Sequence, residues 1–235
     1  MEIEKSYSFF PESSMITDLK KTRKSLPDSS IFRILERKTE WANMTIVADL
    51  TGSMSPYTTQ LVLWFKLKAN DKRVKDLVFF NDGDSTPHNK KILGHTGGIY
   101  YSKAVNYDSI RALALKTIFA GGGGDGPENN IEALLYAIDK SPKANDIIMV
   151  ADNTAPVKDI SLLYALKKPI HIILCGTSYG INPQYLTIAR QTGGSIHTME
   201  KDLEDLVKKN EGESFEFLGE KFTIIGGVVV KVRRM

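Results

Sequence analysis

The stretch that most constrains the fold is residues 44–55, Met-Thr-Ile-Val-Ala-Asp-Leu-Thr-Gly-Ser-Met-Ser. Thr45–Ala48 is a short apolar run that reads as a buried strand. It stops at Asp49, after which Thr51, Gly52 and Ser53 turn the chain before Pro56 and an apolar, helix-like stretch. Strand, polar glycine turn and helix, in that order, is how an α/β fold builds a site at the carboxyl edge of its sheet. The spacing Asp49-x-Thr51-x-Ser53 brings one carboxylate and two hydroxyls into that turn. All three are hard oxygen donors, which suit Mg²⁺, Mn²⁺ or Ca²⁺ rather than a soft metal. The same residues also suit a plainer role, with Asp49 capping the following helix and Thr51 and Ser53 stabilising the turn.

A second strand bears on that choice. Asp146–Val150 is apolar beyond its first residue and leads to a second aspartate, Asp152, followed by Asn153 and Thr154. If the two strands are neighbours, Asp49 and Asp152 meet at one edge. Two buried like charges are costly unless a cation or a proton neutralises them. The third informative stretch is 121–128, Gly-Gly-Gly-Gly-Asp-Gly-Pro-Glu, whose glycines let the backbone approach a ligand closely. Pro127 suits the first turn of a helix through Ile131, Leu134, Leu135 and Ile138. No phosphate-binding glycine motif is present, and the carboxylate of Asp125 repels an anion and fits a cation better.

Composition removes several classes. The 235 residues suit one domain with extensions, and 42% hydrophobic with 25% charged content is ordinary for a globular chain. A net charge of +3, from 31 basic and 28 acidic residues, is too near neutral for an electrostatic nucleic-acid binder. The basic group Lys20, Lys21, Arg23 and Lys24 reads as a solvated helix face. Cys175 is the single cysteine, so no internal disulfide and no zinc cluster is available, and its apolar surroundings make it a buried, inert thiol. No signal peptide and no membrane-spanning stretch is visible, which gives a cytoplasmic expectation if the chain is complete.

In chain order, residues 1–43 form an N-terminal extension packed on the main domain, with Ser29 or Ser30 capping a helix from Ile31 towards Glu40 whose Ile31, Ile34 and Leu35 share a face. Tyr57–Ala69 is a helix apolar nearly all round. Leu77–Phe80 is a strand that runs into the turn Asn81–Asp84. Lys91–Leu93 and Ile99–Tyr101 look like an edge strand pair, and His88 and His95 beside them are surface residues. Helices are expected at Asp108–Phe119, Val157–Leu166, Pro183–Gln191 and Lys201–Lys209, and strands at Ile170–Leu174 and Ser195–His197. His171 and His197 each sit alone on a strand. Residues 213–235 read as a C-terminal β-hairpin. Strands alternating with helices over 44–212 give an α/β class with a doubly wound, mostly parallel sheet.

As a set, these stretches resemble the von Willebrand factor A domain family over about residues 44–209. Asp49-Leu50-Thr51-Gly52-Ser53-Met54 is similar to that family's DxSxS metal-ion-dependent adhesion site, Asp152 to its later aspartate, and the loop with Asp125 to its threonine-bearing loop. Thr51 replaces the usual serine and keeps the hydroxyl. Asp125 in place of threonine adds a negative charge; which of Asp125, Glu128 or Asn129 takes the loop role stays open. The resemblance implies a Rossmann-like sandwich with one antiparallel edge strand. It implies Mg²⁺, with Mn²⁺ or Ca²⁺ as alternatives, held by Asp49, Thr51, Ser53, Asp125 and Asp152. It further implies a protein partner that offers an acidic side chain to an open coordination position, which is binding rather than catalysis. Two other functions fit the same residues. One is a structural subunit with a vestigial site. The other is a metal-dependent phosphoesterase using Asp49, against which stands the lack of a lysine or arginine near the motif.

Overall fold

The computed structural model describes residues 29–68, 71–104, 106–121 and 126–232. Seven strands form the main sheet: β1 (Met44–Asp49), β2 (Val74–Phe80), β3 (Ile99–Lys103), β4 (Ile147–Asp152), β5 (Ile170–Cys175), β6 (Ser195–His197) and β7 (Asp202–Leu203). Their spatial order is β3-β2-β1-β4-β5-β6-β7. The five inner strands are parallel, while β3 and β7 run antiparallel at the two edges. The expected α/β class and mostly parallel sheet are therefore present, with an antiparallel strand at both edges rather than at one.

The order reverses between β1 and β4. Chain leaving β1 runs to one side of the sheet and chain leaving β4 to the other, which makes their carboxyl ends the switch point where open α/β sheets place ligands. Thr45 pairs with Ile147 and Ala48 with Val150, so the strands are direct neighbours and Asp49 and Asp152 leave the sheet side by side.

The inner strands read as continuous apolar runs because both faces are covered. On one face lie α1 (Ser30–Arg37), α2 (Ser55–Leu67) and α3 (Tyr107–Ala120), which bury Ile34, Leu61, Trp64 and Leu113 against Ile46, Phe79 and Ile148. α1 packs on α2, which explains why α2 is apolar nearly all round. On the other face lie α4 (Asn130–Lys140) and α5 (Pro183–Thr192), whose Leu134, Leu186 and Ile188 meet Val47, Met149 and Ile172. Full burial of each such side chain is worth about 1.5–3 kcal/mol. No helix among the described residues is long and apolar enough to cross a membrane.

Several local expectations are corrected. Lys91–Leu93 is not a strand: positive φ at Gly94, Gly97 and Gly98 curls the segment, and the Thr96 and Gly97 amides donate to Glu132. Val157–Leu166 yields only a short 3₁₀ turn, Ile160–Ala165, because Asp159 is drawn to α4, where it accepts from the Ile131 and Glu132 amides. Pro127 precedes rather than opens α4, which starts at Asn130. Lys201–Lys209 is not a helix. Its first part is β7, pinned by ion pairs of Asp202 and Glu204 with Arg37 and Lys38, and Leu206–Lys208 is a 3₁₀ turn. The C-terminal hairpin is a three-stranded meander, β8 (Ser214–Phe217), β9 (Glu220–Ile225) and β10 (Val228–Lys231), turned at Leu218-Gly219 and Gly226-Gly227, all at positive φ. It packs on α5 through β10. The helix in the N-terminal extension ends at Arg37, without a side-chain cap from Ser29. The basic group at 20–24 lies outside the described residues.

His171 and His197 are not isolated. Ser195 Oγ joins them, 2.7 Å from His171 Nδ1 and 2.6 Å from His197 Nε2, and Trp41 packs edge-on to His197 with ring centroids 4.9 Å apart. The extension thus closes over β5 and β6 through Trp41, Arg37 and Lys38, while the Ala42 amide donates to Asp146. Trp41→Ala, which empties this buried position, is expected to cost about 3–5 kcal/mol. A lower urea midpoint at unchanged slope is the readout; an unchanged midpoint would show that the extension adds nothing to stability.

Candidate metal centre

At the end of β1 the Asp49 carboxylate is almost wholly buried. Its Oδ1 accepts from the Thr51 amide at 2.8 Å and the Thr51 hydroxyl at 2.6 Å, closing a local turn. The plainer role is therefore real, but it uses only one oxygen. Oδ2 is buried and makes no hydrogen bond. At the end of β4, Asp152 Oδ1 accepts from the Thr154 amide at 2.8 Å and its hydroxyl at 2.7 Å. The strand ends Val-Ala-Asp-Leu-Thr and Val-Ala-Asp-Asn-Thr build the same turn twice, on adjacent strands. Ser53, in the 3₁₀ turn Gly52–Met54, holds its Oγ 3.4 Å from Thr51 Oγ1 and is exposed.

The third carboxyl comes from Glu128. Its backbone pairs with the β4 loop, the Glu128 amide donating to Pro156 O and the Lys158 amide to Glu128 O, both at 2.8 Å. This anchors Glu128 in the interior beside Thr51 and Asp49, with its Oε2 buried and unbonded. The Asn129 side-chain amide donates to Gly97 O at 3.1 Å, while its Oδ1 is buried and unbonded. Asp125 lies outside the described residues; of the two described loop candidates, Glu128 is placed beside Asp49 and Thr51. Its only sequence signal is its place directly after Gly-Asp-Gly-Pro.

Burial, reinforced by the like charges of Asp152 and Asp82, pushes the Asp49 carboxyl up, against the hydrogen bonds from Thr51 that lower it. Glu128 is likewise pushed up by burial and then by the charges of Asp49 and Asp82. Asp82, fully buried at φ +60°, is bonded to Lys91 at 2.8 Å and to Lys158 at 2.5 and 2.6 Å. The turn Asn81–Asp84 thus brings in two lysines that sequence reasoning did not place near Asp49. A carboxylate–lysine group beside two strained carboxyls leaves the positive charge on Asp82 and the orphan oxygens on Asp49 and Glu128. An orphaned buried carboxylate oxygen costs several kcal/mol unless a proton or cation meets it. The donor set of carboxyls and hydroxyls fits a hard divalent ion.

Among the described residues, the group of three acidic or histidine side chains whose ligand atoms all lie within 4.8 Å of one another is His197, Asp202 and Glu204, which could hold a metal ion. Here the cation is already supplied by the chain. The Lys38 ammonium is bonded to Glu204 and lies 3.1 Å from Asp202, and Arg37 is bonded to Asp202. A metal there would have to displace a buried lysine.

Comparison with protein-family models, with curated proteins and with solved structures gives no match to this chain. What bears on its function is therefore the arrangement of its own residues.

The histidine cluster sets a pH limit on the fold. Burial holds His197 down at about 4, against the raising influence of Asp202, and holds His171 down as well. A folded value below the unfolded one means the unfolded chain takes up the proton first, so this contribution is complete above about pH 6.5 and is lost as the pH falls towards 4. The buried carboxyls that are pushed upward act in the opposite direction, so the useful quantity is the difference between wild type and His197→Gln. Wild type is expected to lose about 3 kcal/mol relative to the variant between pH 6.5 and 4. Parallel pH profiles in urea titrations would contradict it.

Proposed function

We propose that the chain is a divalent-cation-dependent protein-binding module of the von Willebrand factor A type. Its ion would be held by Asp49, Thr51, Ser53 and Asp152, with Glu128 supplying the loop ligand. The observation that carries this reading is the pair of buried, unbonded carboxyl oxygens, Asp49 Oδ2 and Glu128 Oε2, beside Asp152 at the switch point of a parallel sheet. Mg²⁺ suits such a set because it keeps part of its water shell and needs few protein ligands, whereas Ca²⁺ asks for more oxygens. The same partial coordination leaves a position for a partner's carboxylate. Bound there, the ion would neutralise the buried carboxyls and polarise that partner group.

A phosphoesterase is the weaker reading, although Lys91 and Lys158 stand close to Asp49. Both are bonded to Asp82, so neither ammonium is presented to a transferring phosphoryl group in this arrangement. A subunit with a vestigial site is disfavoured by Asp49 itself, because a buried carboxylate with an orphan oxygen is an avoidable cost if no ion is bound.

The test is thermal unfolding in Mg²⁺, Mn²⁺ or Ca²⁺ against chelator. Ion at about a hundred times its dissociation constant is expected to add about 2.7 kcal/mol, a rise of about 5–10 °C for a chain of this size. Asp49→Asn keeps the Oδ1 acceptor and removes the charge. It is expected to lose the ion-dependent rise and to melt at or above wild type in chelator. Equal melting of wild type with every ion and with chelator would sink the reading. A pull-down in Mg²⁺ with chelator elution then separates a binding module from a structural subunit.

A further inference from the structure

We infer that Tyr179 is the aromatic anchor of the partner surface beside Asp152, and that the segment it receives carries a large apolar side chain next to its acidic residue. This rests on the metal-dependent binding reading above. Tyr179 is 96% exposed, so its ring contributes almost nothing to folding. Yet the loop that presents it is fixed at both ends. The Asn153 amide donates to Gly176 O at 3.2 Å and to Gly180 O at 2.6 Å, and Asn153 Oδ1 accepts from the Asn182 amide at 2.9 Å. The Gly180 amide closes the loop on Thr177 O at 3.1 Å. Asn153 directly follows Asp152, and a Cβ on Gly176 would stand 3.8 Å from Asp152 Oδ1. The loop is thus stapled to the carboxylate cluster.

Single exposed apolar residues are ordinary on a protein surface. Three others stand in segments at the carboxyl edge of the sheet. Ile92 and Leu93, 66% and 48% exposed, lie in the loop after β2 next to Lys91, whose ammonium is bonded to Asp82. Phe119, 64% exposed, ends α3 at the same edge, where the Ser85 hydroxyl donates to Ala120 O. Exposed Lys90 in the β2 loop adds a positive charge that favours an acidic partner. A charged centre flanked by apolar side chains, with an aromatic on a rigid mount, is the make-up of an interface hot spot. A pre-set loop also spares the ordering cost of binding.

The probe is a phage library of disulfide-closed peptides with a fixed central Asp and random flanks, selected on the full chain in Mg²⁺ and eluted with chelator. Enrichment of Leu, Ile, Met, Phe or Trp within two positions of the Asp is expected. Synthetic peptides from that pool should bind Tyr179→Ala about tenfold or more weakly, while Tyr179→Phe retains most of the affinity. The Mg²⁺-dependent melting rise should be unchanged in both variants, because Tyr179 touches no proposed ligand. Pools without apolar enrichment, or equal affinity for Tyr179→Ala, would overturn the inference and leave the metal reading standing. Absence of the melting rise in wild type, or of any chelator-eluted peptide, would fail the metal-dependent binding reading first and this inference with it.

Discussion

The structure depends on one electrostatic tension, the Asp49 carboxylate held in the interior with half its hydrogen-bonding capacity unused. One oxygen is consumed by Thr51, which fixes the turn out of β1. The other faces a region that also receives Glu128 and borders Asp152. Each of these residues is carried there by a different element, and each placement is held by backbone contacts rather than by attraction among the carboxyls. The fold forces like charges together at the one edge where the strand order reverses. Repulsion and desolvation are tolerated because hydrophobic burial on both faces of the sheet outweighs them, and an ion at the cluster would relieve both.

The surroundings of that edge show how the chain manages its other charges. Asp82 lies close enough to act on Asp49 and Glu128, but two lysines hold it, one from its own loop and one from the loop after β4. Asp159 is spent on the first amides of α4, and burial raises its carboxyl to about 6 despite those bonds. That tie keeps the start of α4, and with it Glu128, against the β4 loop. At the far side of the sheet, Lys38 and Arg37 neutralise Asp202 and Glu204 around His197. The two acidic groups thus differ in kind: one is satisfied by the chain's own cations, and the other is left with orphan oxygens. Proximity of ligand atoms picks out the group around His197, whereas the unbonded carboxyl oxygens belong to Asp49 and Glu128.

Much of the candidate site's geometry was legible in the sequence because its parts are local. Asp49, Thr51 and Ser53 fall within one turn, and their spacing is a statement about adjacent backbone. Asp152 was legible because an apolar strand that ends in aspartate has few other uses. Glu128 was visible only as one of three neighbours, since nothing local distinguishes it from Asp125 or Asn129; its bridge to Val157, which anchors it in the interior, is a contact between distant segments. Lys91 and Lys158 were missed altogether, being nine and 76 residues from the Asp82 they neutralise.

What the sequence by itself determined is the alternation of apolar strands and amphipathic helices, and hence the α/β class with its parallel core, because those periodicities reflect which face each residue must bury. It also determined the hard-oxygen character of the turn after β1. Only the tertiary structure decided the rest. Segment 201–209 has helical periodicity but becomes an edge strand and a turn, because the pull of Arg37 and Lys38 from the N-terminal extension exceeds a weak local preference. Likewise His171 and His197 are ordinary strand residues until β5 and β6 align and Ser195 joins them. Local spacing fixes what neighbouring residues can do, whereas charge pairing and burial between distant segments depend on strand order, which no short stretch of this chain encodes.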